Sequence, residues 1–218
     1  MNHNTGTLDR PQTRGEELAN AISHGIAFVA AVAAIPVLVI GAVHDGGASA
    51  VVGASIFGAT LLMLYLVSTI YHALPDGRGK QAFMVIDHCA IFLLIAGTYT
   101  PFTLGVLSGA WGWSLFGAVW GLAFVGILFK TLLGSRYHAL SIALYLVMGW
   151  LVVVATKPML SAVPVPGLLW LLAGGLFYTF GVVFYHFDSR VHYAHFVWHL
   201  FVVAGSSCHF VAVFWYAI

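Results

Sequence analysis

Two histidines, His195 and His199, stand four residues apart in HFVWH, near the end of a chain that is otherwise strongly apolar. At that spacing they share one face of a helix. The stretch STIYH, residues 68 to 72, puts Ser68 one helical turn from His72, and IDHC, residues 86 to 89, carries Asp87. Three imidazoles and a water make a zinc site with one exchangeable position, and zinc lowers the pKa of such a water toward ~7. His72, His195 and His199 are therefore candidate ligands to zinc. Asp87 is the candidate general base, and Ser68 a candidate donor to a ligand or an oxyanion. Such a set fits hydrolysis of an amide or ester presented by a lipid.

A single His-x-x-x-His on a helix is a weak signal. Interfacial histidines that bond to headgroups or backbone carbonyls are the ordinary explanation of it, and several others fit that account better: His3 in the tail, His44 in a loop, His138, His186 and His192 at helix ends. His88 adjoins Asp87 and points about 100° away from it on an ideal helix. His209 lies about 15 Å along the helix from His199. At that depth an interhelical hydrogen bond is expected of it. What favours a site is depth, which requires the elements to be laid out first.

The 218 residues are 61% hydrophobic and 7% charged, against about 25% charged in a soluble domain. Mean hydropathy is +0.97. A spanning helix needs roughly 20 mostly apolar residues. Seven segments qualify, about 21–43, 48–72, 83–106, 113–129, 139–155, 167–185 and 194–216, separated by HDGG, ALPDGRGKQ, LSGAWG, KTLLGSRYH, TKPMLSAVPVP and HFDSRVH. The short alternating segments of a membrane β-barrel are absent. The expectation is an all-α, seven-transmembrane helix bundle over residues 21–218, preceded by a polar tail over 1–20. The first apolar stretch follows acids rather than a basic region, so it reads as a span and not as a cleaved signal peptide. Cys89 and Cys208 fall in different spans, where a disulfide between them is not expected. A net charge of +1 gives no reason to expect a nucleic-acid partner.

Basic loop residues mark the cytoplasmic side of a membrane protein. Arg10, Arg14, Arg78, Lys80, Lys130, Arg136 and Arg190 fall on the N-terminal side, and only Lys157 on the other. The N-terminus is therefore expected in the cytoplasm and the C-terminus outside, with Trp111, Trp113, Trp215 and Tyr216 in the outer aromatic belt. In that frame the second span ends, and the third and seventh begin, on the cytoplasmic side. Ser68, His72, Asp87, His195 and His199 then share one depth band, and Glu17, Asn20 and His24 enter the first span beside them. Ionisable groups inside a membrane are expensive and mark function. Gly117, Gly121, Gly174, Gly175 and Gly181 are expected to allow close helix approach. Pro36 and Pro101 are expected to kink their spans, with Thr98, Tyr99 and Thr100 placed to satisfy the freed carbonyls.

With these stretches in view, the chain resembles the bacterial hemolysin III branch of the progestin and adipoQ receptor family, which includes the adiponectin receptors. The matching stretches are EELANAISHG (16–25), STIYH (68–72), IDHCAIFLLIAGTYTPF (86–102) and HFVWHLFVVAGSSCHF (195–210). The resemblance covers all seven spans and implies a seven-helix fold in the bacterial cytoplasmic membrane. It also implies Zn2+ held by His72, His195 and His199, with Asp87 contacting the water and Ser68 nearby. Glu17 and His24 are candidates for a second shell around that site. Similar alkaline ceramidases hydrolyse ceramide with this arrangement. The family's protein-hormone receptors have outer loops and tails that this chain lacks, so membrane lipids and a lipid-like substrate are the expected partners and no protein hormone is. The leading expectation is thus a zinc-dependent hydrolase of lipid amides or esters. The rival is a membrane-homeostasis protein acting as an ion or proton transporter, a channel or a cytolytic pore.

Overall fold

In a computed structural model, residues 10–107, 109–134 and 137–218 are described; His3, with the first nine residues of the tail, and Arg136 lie outside them. Among these residues the chain is all-helical, without strands. The helices are α1 (Arg14–Gly41), α2 (Ala48–Ala73), α3 (Arg78–Pro101), α4 (Gly109–Leu133), α5 (His138–Gly149), α6 (Thr156–Ala162), α7 (Val165–His186) and α8 (Ala194–Tyr216). A π turn, Ala42–Gly46, extends α1, another, Phe102–Val106, extends α3, and a 3-10 turn, Leu151–Ala155, joins α5 to α6. These make seven units long and apolar enough to cross a membrane, the fifth being α5 and α6 together. Val29, Phe124, Leu132, Val154 and Trp215 point outward and are exposed despite being apolar, as a lipid-facing surface requires.

Two boundaries differ from the sequence reading. The first helix begins at Arg14 rather than Ala21, because Thr13 and Glu16 form a reciprocal capping box. The Thr13 hydroxyl accepts the Glu16 N–H, and the Glu16 carboxylate accepts the Thr13 N–H at 2.9 Å, which satisfies donors that a helix start leaves free. Residues 14–20, assigned to the tail, are thus the first two turns of α1, with Glu16 and Asn20 buried. The fifth span, in turn, continues past Ala155 to Ala162. Pro158 is tolerated there because it sits in the first turn of α6. The helix stops where Val163 turns extended, ahead of Pro164. The break between α5 and α6 is patched from α3. The Tyr99 hydroxyl lies 3.0 and 2.9 Å from the Met148 and Gly149 carbonyls and accepts the Val152 N–H at 2.9 Å. Tyr99 therefore serves α5, while Thr100 bonds back to the Ala96 carbonyl at 2.9 Å.

Helix α2 packs between α1 and α3, α3 against α4, and α7 against α8, while α1 touches α8 and closes the bundle. The core runs through Phe57, Leu61, Leu64, Tyr65, Leu94, Trp198 and Val202. The most deeply buried spans are α2, α3 and α8, which are the three that carry the candidate ligands, base and hydroxyl.

Tight α7–α8 packing depends on glycine. A Cβ at Gly181 would stand 2.7 Å from Phe201 Cβ and from the Trp198 ring. Gly117 and Gly121 differ from expectation, since a Cβ at either meets nothing within 4 Å. They face outward on α4 and bring no helix closer. Gly181→Ala is expected to destabilise the protein by about 1–3 kcal/mol through overpacking, seen as a lower melting temperature in detergent. Gly117→Ala should leave that temperature unchanged or raise it.

Candidate metal centre

His72 occupies the last turn of α2, and His195 and His199 the first two turns of α8. Because α2 ends where α8 begins, all three reach the same end of the bundle. They are buried, at 3%, 9% and 2% exposure, and each offers a ligand atom within 4.8 Å of the other two. The ring centroid of His72 lies 5.0 Å from those of both His195 and His199.

The tautomers follow from the partners. His72 Nδ1 lies 2.7 Å from Glu17 Oε2, and His195 Nδ1 2.8 Å from Asp188 Oδ2. His199 Nδ1 lies 3.3 Å from the Asn20 carbonyl and 3.1 Å from Ser23 Oγ. Carboxylates and carbonyls only accept, so the proton belongs on Nδ1 of each neutral ring and the lone pair on Nε2. His72 Nε2 is buried without a hydrogen-bond partner among the described residues. Metal-ligating histidines characteristically donate their other ring N–H to such acceptors, which fixes the ring and raises its basicity. Three buried imidazoles, each anchored through Nδ1, therefore fit a metal ion.

Asp87 on α3 is buried, and so is Ser68, whose hydroxyl interacts with the Asp87 carboxyl and makes no hydrogen bond of standard geometry among the described residues. Both line one cavity of about 110 Å³, together with His24, His195 and His199. Of the two residues singled out in the first span, Glu17 bonds His72 and also pairs with Lys80 at 2.7 Å. His24 plays a different part. It stacks on His199 with centroids 3.6 Å apart and planes 5° apart, and both of its ring nitrogens are buried and unpartnered.

Sequence reasoning missed several neighbours. Asp188 lies seven residues before His195 but across a non-helical turn, so no periodicity links them. Asn20 was visible between Glu17 and His24, but its role falls to a backbone carbonyl, which side-chain type cannot signal. His88, grouped with the interfacial histidines, is instead buried. Its Nε2 lies 2.9 Å from the Tyr185 hydroxyl, and its Nδ1 is unpartnered. His44, His186 and His192 are exposed, as expected. His209 Nε2 reaches across to the Leu171 carbonyl of α7 at 3.2 Å, the interhelical bond expected of it. Both cysteines are free.

Glu16, held by a salt bridge at the start of α1, ties α1 to the cap of α8. Arg10 holds Glu16 through two contacts of 2.7 and 2.5 Å, and Glu16 in return raises the Arg10 pKa. Glu16 Oε1 also accepts the Tyr193 N–H at 2.7 Å. Tyr193 caps α8 in a left-handed conformation, φ 59°, two residues before His195.

Seven membrane-spanning helices with a buried trihistidine cluster at one end define a multi-pass membrane protein that has a candidate metal centre. The family model for haemolysin-III related proteins matches residues 12–210, and the chain belongs to that family. It is 42% identical to Hemolysin-3 of Bacillus cereus over 93% of this chain and 92% of that protein. It is also 42% identical to the Hemolysin-3 homolog of Bacillus subtilis (strain 168), over 93% and 95%. A human relative, monocyte to macrophage differentiation factor, is 30% identical over 74% of this chain and 68% of its own. No solved structure matches.

Proposed function

We propose that this protein is a zinc-dependent hydrolase of lipid amides or esters, working at the cytoplasmic face of a bacterial inner membrane. The observation that carries the reading is the anchoring of all three imidazoles through Nδ1, which leaves Nε2 of each available, in a cluster whose ligand atoms lie within 4.8 Å of one another. Zinc bound there would supply a Lewis acid and a water acidic enough to attack a carbonyl near neutral pH. His72, His195 and His199 would hold the ion, and Glu17, Asp188 and the Asn20 carbonyl would hold the histidines. Asp87, on the cavity wall, would take the proton from the attacking water and return it to the leaving amine or alcohol. The Ser68 hydroxyl, beside Asp87, would donate to the developing oxyanion. The apolar surface around the cavity keeps bulk water out and admits a substrate from the bilayer.

The seven-to-one split of basic residues supports a cytoplasmic N-terminus, and with it a substrate from the inner leaflet. A proton or ion path would need polar groups on toward the other end of the bundle. The candidates there are few: Ser206, whose hydroxyl already bonds Tyr65 and Tyr178, Ser207, which donates to the Val203 carbonyl, and His209, which bonds the Leu171 carbonyl.

The test is zinc analysis of the purified protein combined with hydrolysis of a fluorescent short-chain ceramide before and after chelation. Activity lost on chelation and restored by zinc is the expected result. A zinc-free protein that stays zinc-free after incubation with the ion would end this reading and favour the ion or proton path. Glu17→Gln and Asp188→Asn are each expected to weaken zinc binding by about 10- to 100-fold, measured by competition with a chromophoric chelator.

A further inference from the structure

The cavity that begins at the histidines extends well past them. Its wall runs from Ser68 and Asp87 to His209, which lies ten residues beyond His199 on α8, or about 15 Å of helical rise. Between the two ends the wall is apolar, with Ile91, Leu94, Leu146, Val182 and Val202. The hydroxyls in the deep half are already engaged. Thr98 donates to the Leu94 carbonyl at 2.8 Å, Thr179 to the Gly175 carbonyl at 2.7 Å, and Tyr178 to Ser206 at 3.1 Å.

His209 is different. Its Nε2 faces a carbonyl, which can only accept, so the proton is on Nε2. A neutral ring then presents Nδ1 as an acceptor, and that atom is buried without a partner among the described residues. A buried acceptor left unpaired costs roughly 1–3 kcal/mol. Gly174 makes room for this ring, since a Cβ there would collide with it. A second cavity, of about 60 Å³, abuts the same histidine. The main cavity thus has ionisable groups at both ends, and between them a largely apolar wall whose few hydroxyls have given their protons to neighbours; at the far end His209 Nδ1 is the buried ring nitrogen without a partner among the described residues.

We propose that His209 selects ligands whose chain carries a hydroxyl, or another O–H or N–H donor, about 15 Å from the group held at the histidine cluster. An extended alkyl chain of about 12 carbons, with ~1.5 Å bonds in a zigzag, covers that distance. This inference rests on reading the cavity as the seat of a lipid chain, and it does not require that the lipid be cleaved.

The test compares binding of dodecanoic acid, its derivative hydroxylated at the chain end, and its derivative hydroxylated at mid-chain, too far from the carboxylate to chelate with it. Calorimetry is run on the detergent-purified protein, natural and His209→Phe, each with and without prior chelation. All three acids share the carboxylate, so any bond to a metal cancels in the comparison. The natural protein is expected to bind the end-hydroxylated acid about tenfold more tightly than the parent, with no such gain for the other isomer. His209→Phe should bind the parent acid as the natural protein does and lose the preference. Equal affinity for the two hydroxy isomers in the natural protein overturns the proposal, and that comparison needs no variant to fold. So does a preference that survives in His209→Phe. A protein without zinc or hydrolysis that still shows the preference would remove the hydrolase reading and leave this one standing.

Discussion

Alanine at both His195 and His199 is expected to leave the purified protein without zinc, where the natural protein carries about one ion per chain. The size of the effect follows from the geometry. Two of three converging nitrogens vanish. The loss should be complete in elemental analysis, not partial, because His72 and His24 are the imidazoles that remain in the cluster and two ligands hold an ion weakly against bulk water. His192→Ala serves as the control. His192 lies at the same end of the bundle but is exposed, so its removal should leave zinc content unchanged. The double variant should still fold, since α8 keeps its packing against α7 and α1. Zinc retained in the double variant would mean that the ion binds elsewhere.

Replacing Asp87 separates chemistry from binding. Asp87→Asn keeps the size of the side chain and removes its capacity to take a proton. Hydrolysis should fall by about 10²- to 10⁴-fold, the usual contribution of a positioned general base, while zinc content stays that of the natural protein. His72→Ala should abolish both. Ser68→Ala should fall between, slowing hydrolysis with zinc retained, because a single hydrogen bond to an oxyanion contributes less than the proton transfer. Turnover by Asp87→Asn equal to the natural protein's would sink the proposed mechanism even if zinc were bound.

Much of this architecture is legible in the sequence because a bilayer imposes length. Seven apolar segments near 20 residues can only be spanning helices, and the alternation of their ends puts Ser68, His72, Asp87, His195 and His199 at one depth. Depth alone, however, says nothing of helix rotation. That the three imidazoles converge, and that His24 stacks on His199 while Glu17 reaches His72, depends on how α1, α2 and α8 turn toward each other. Hydropathy also misreads the start of α1. Glu16, Glu17 and Asn20 look like a solvated tail until Arg10 and the α8 cap, Lys80, and Gln12 respectively give them partners. The break in the fifth span was hidden for a similar reason. Leu151 to Ala155 is as apolar as the helix before it, and the Tyr99 hydroxyl that makes the break tolerable comes from another helix. Gly117 and Gly121 teach the converse lesson, for small residues permit close packing only when a neighbour is present to use the space.

The contacts that complete the metal centre join the two ends of the chain. Ser23 meets His199 across 176 positions, and Glu16 meets Tyr193 across 177. A ribosome delivers this chain from its N-terminus, so His72 and Glu17 enter the membrane together, long before the helix that holds the other two ligands. Through most of synthesis the ligand set stays incomplete. Only the arrival of the last helix closes the ring and creates a place where an ion would bind tightly. A molecule cut short between α3 and α8 carries Asp87, Ser68 and His72 but lacks His195 and His199, so a half-made protein has no assembled trihistidine cluster at which an ion could bind.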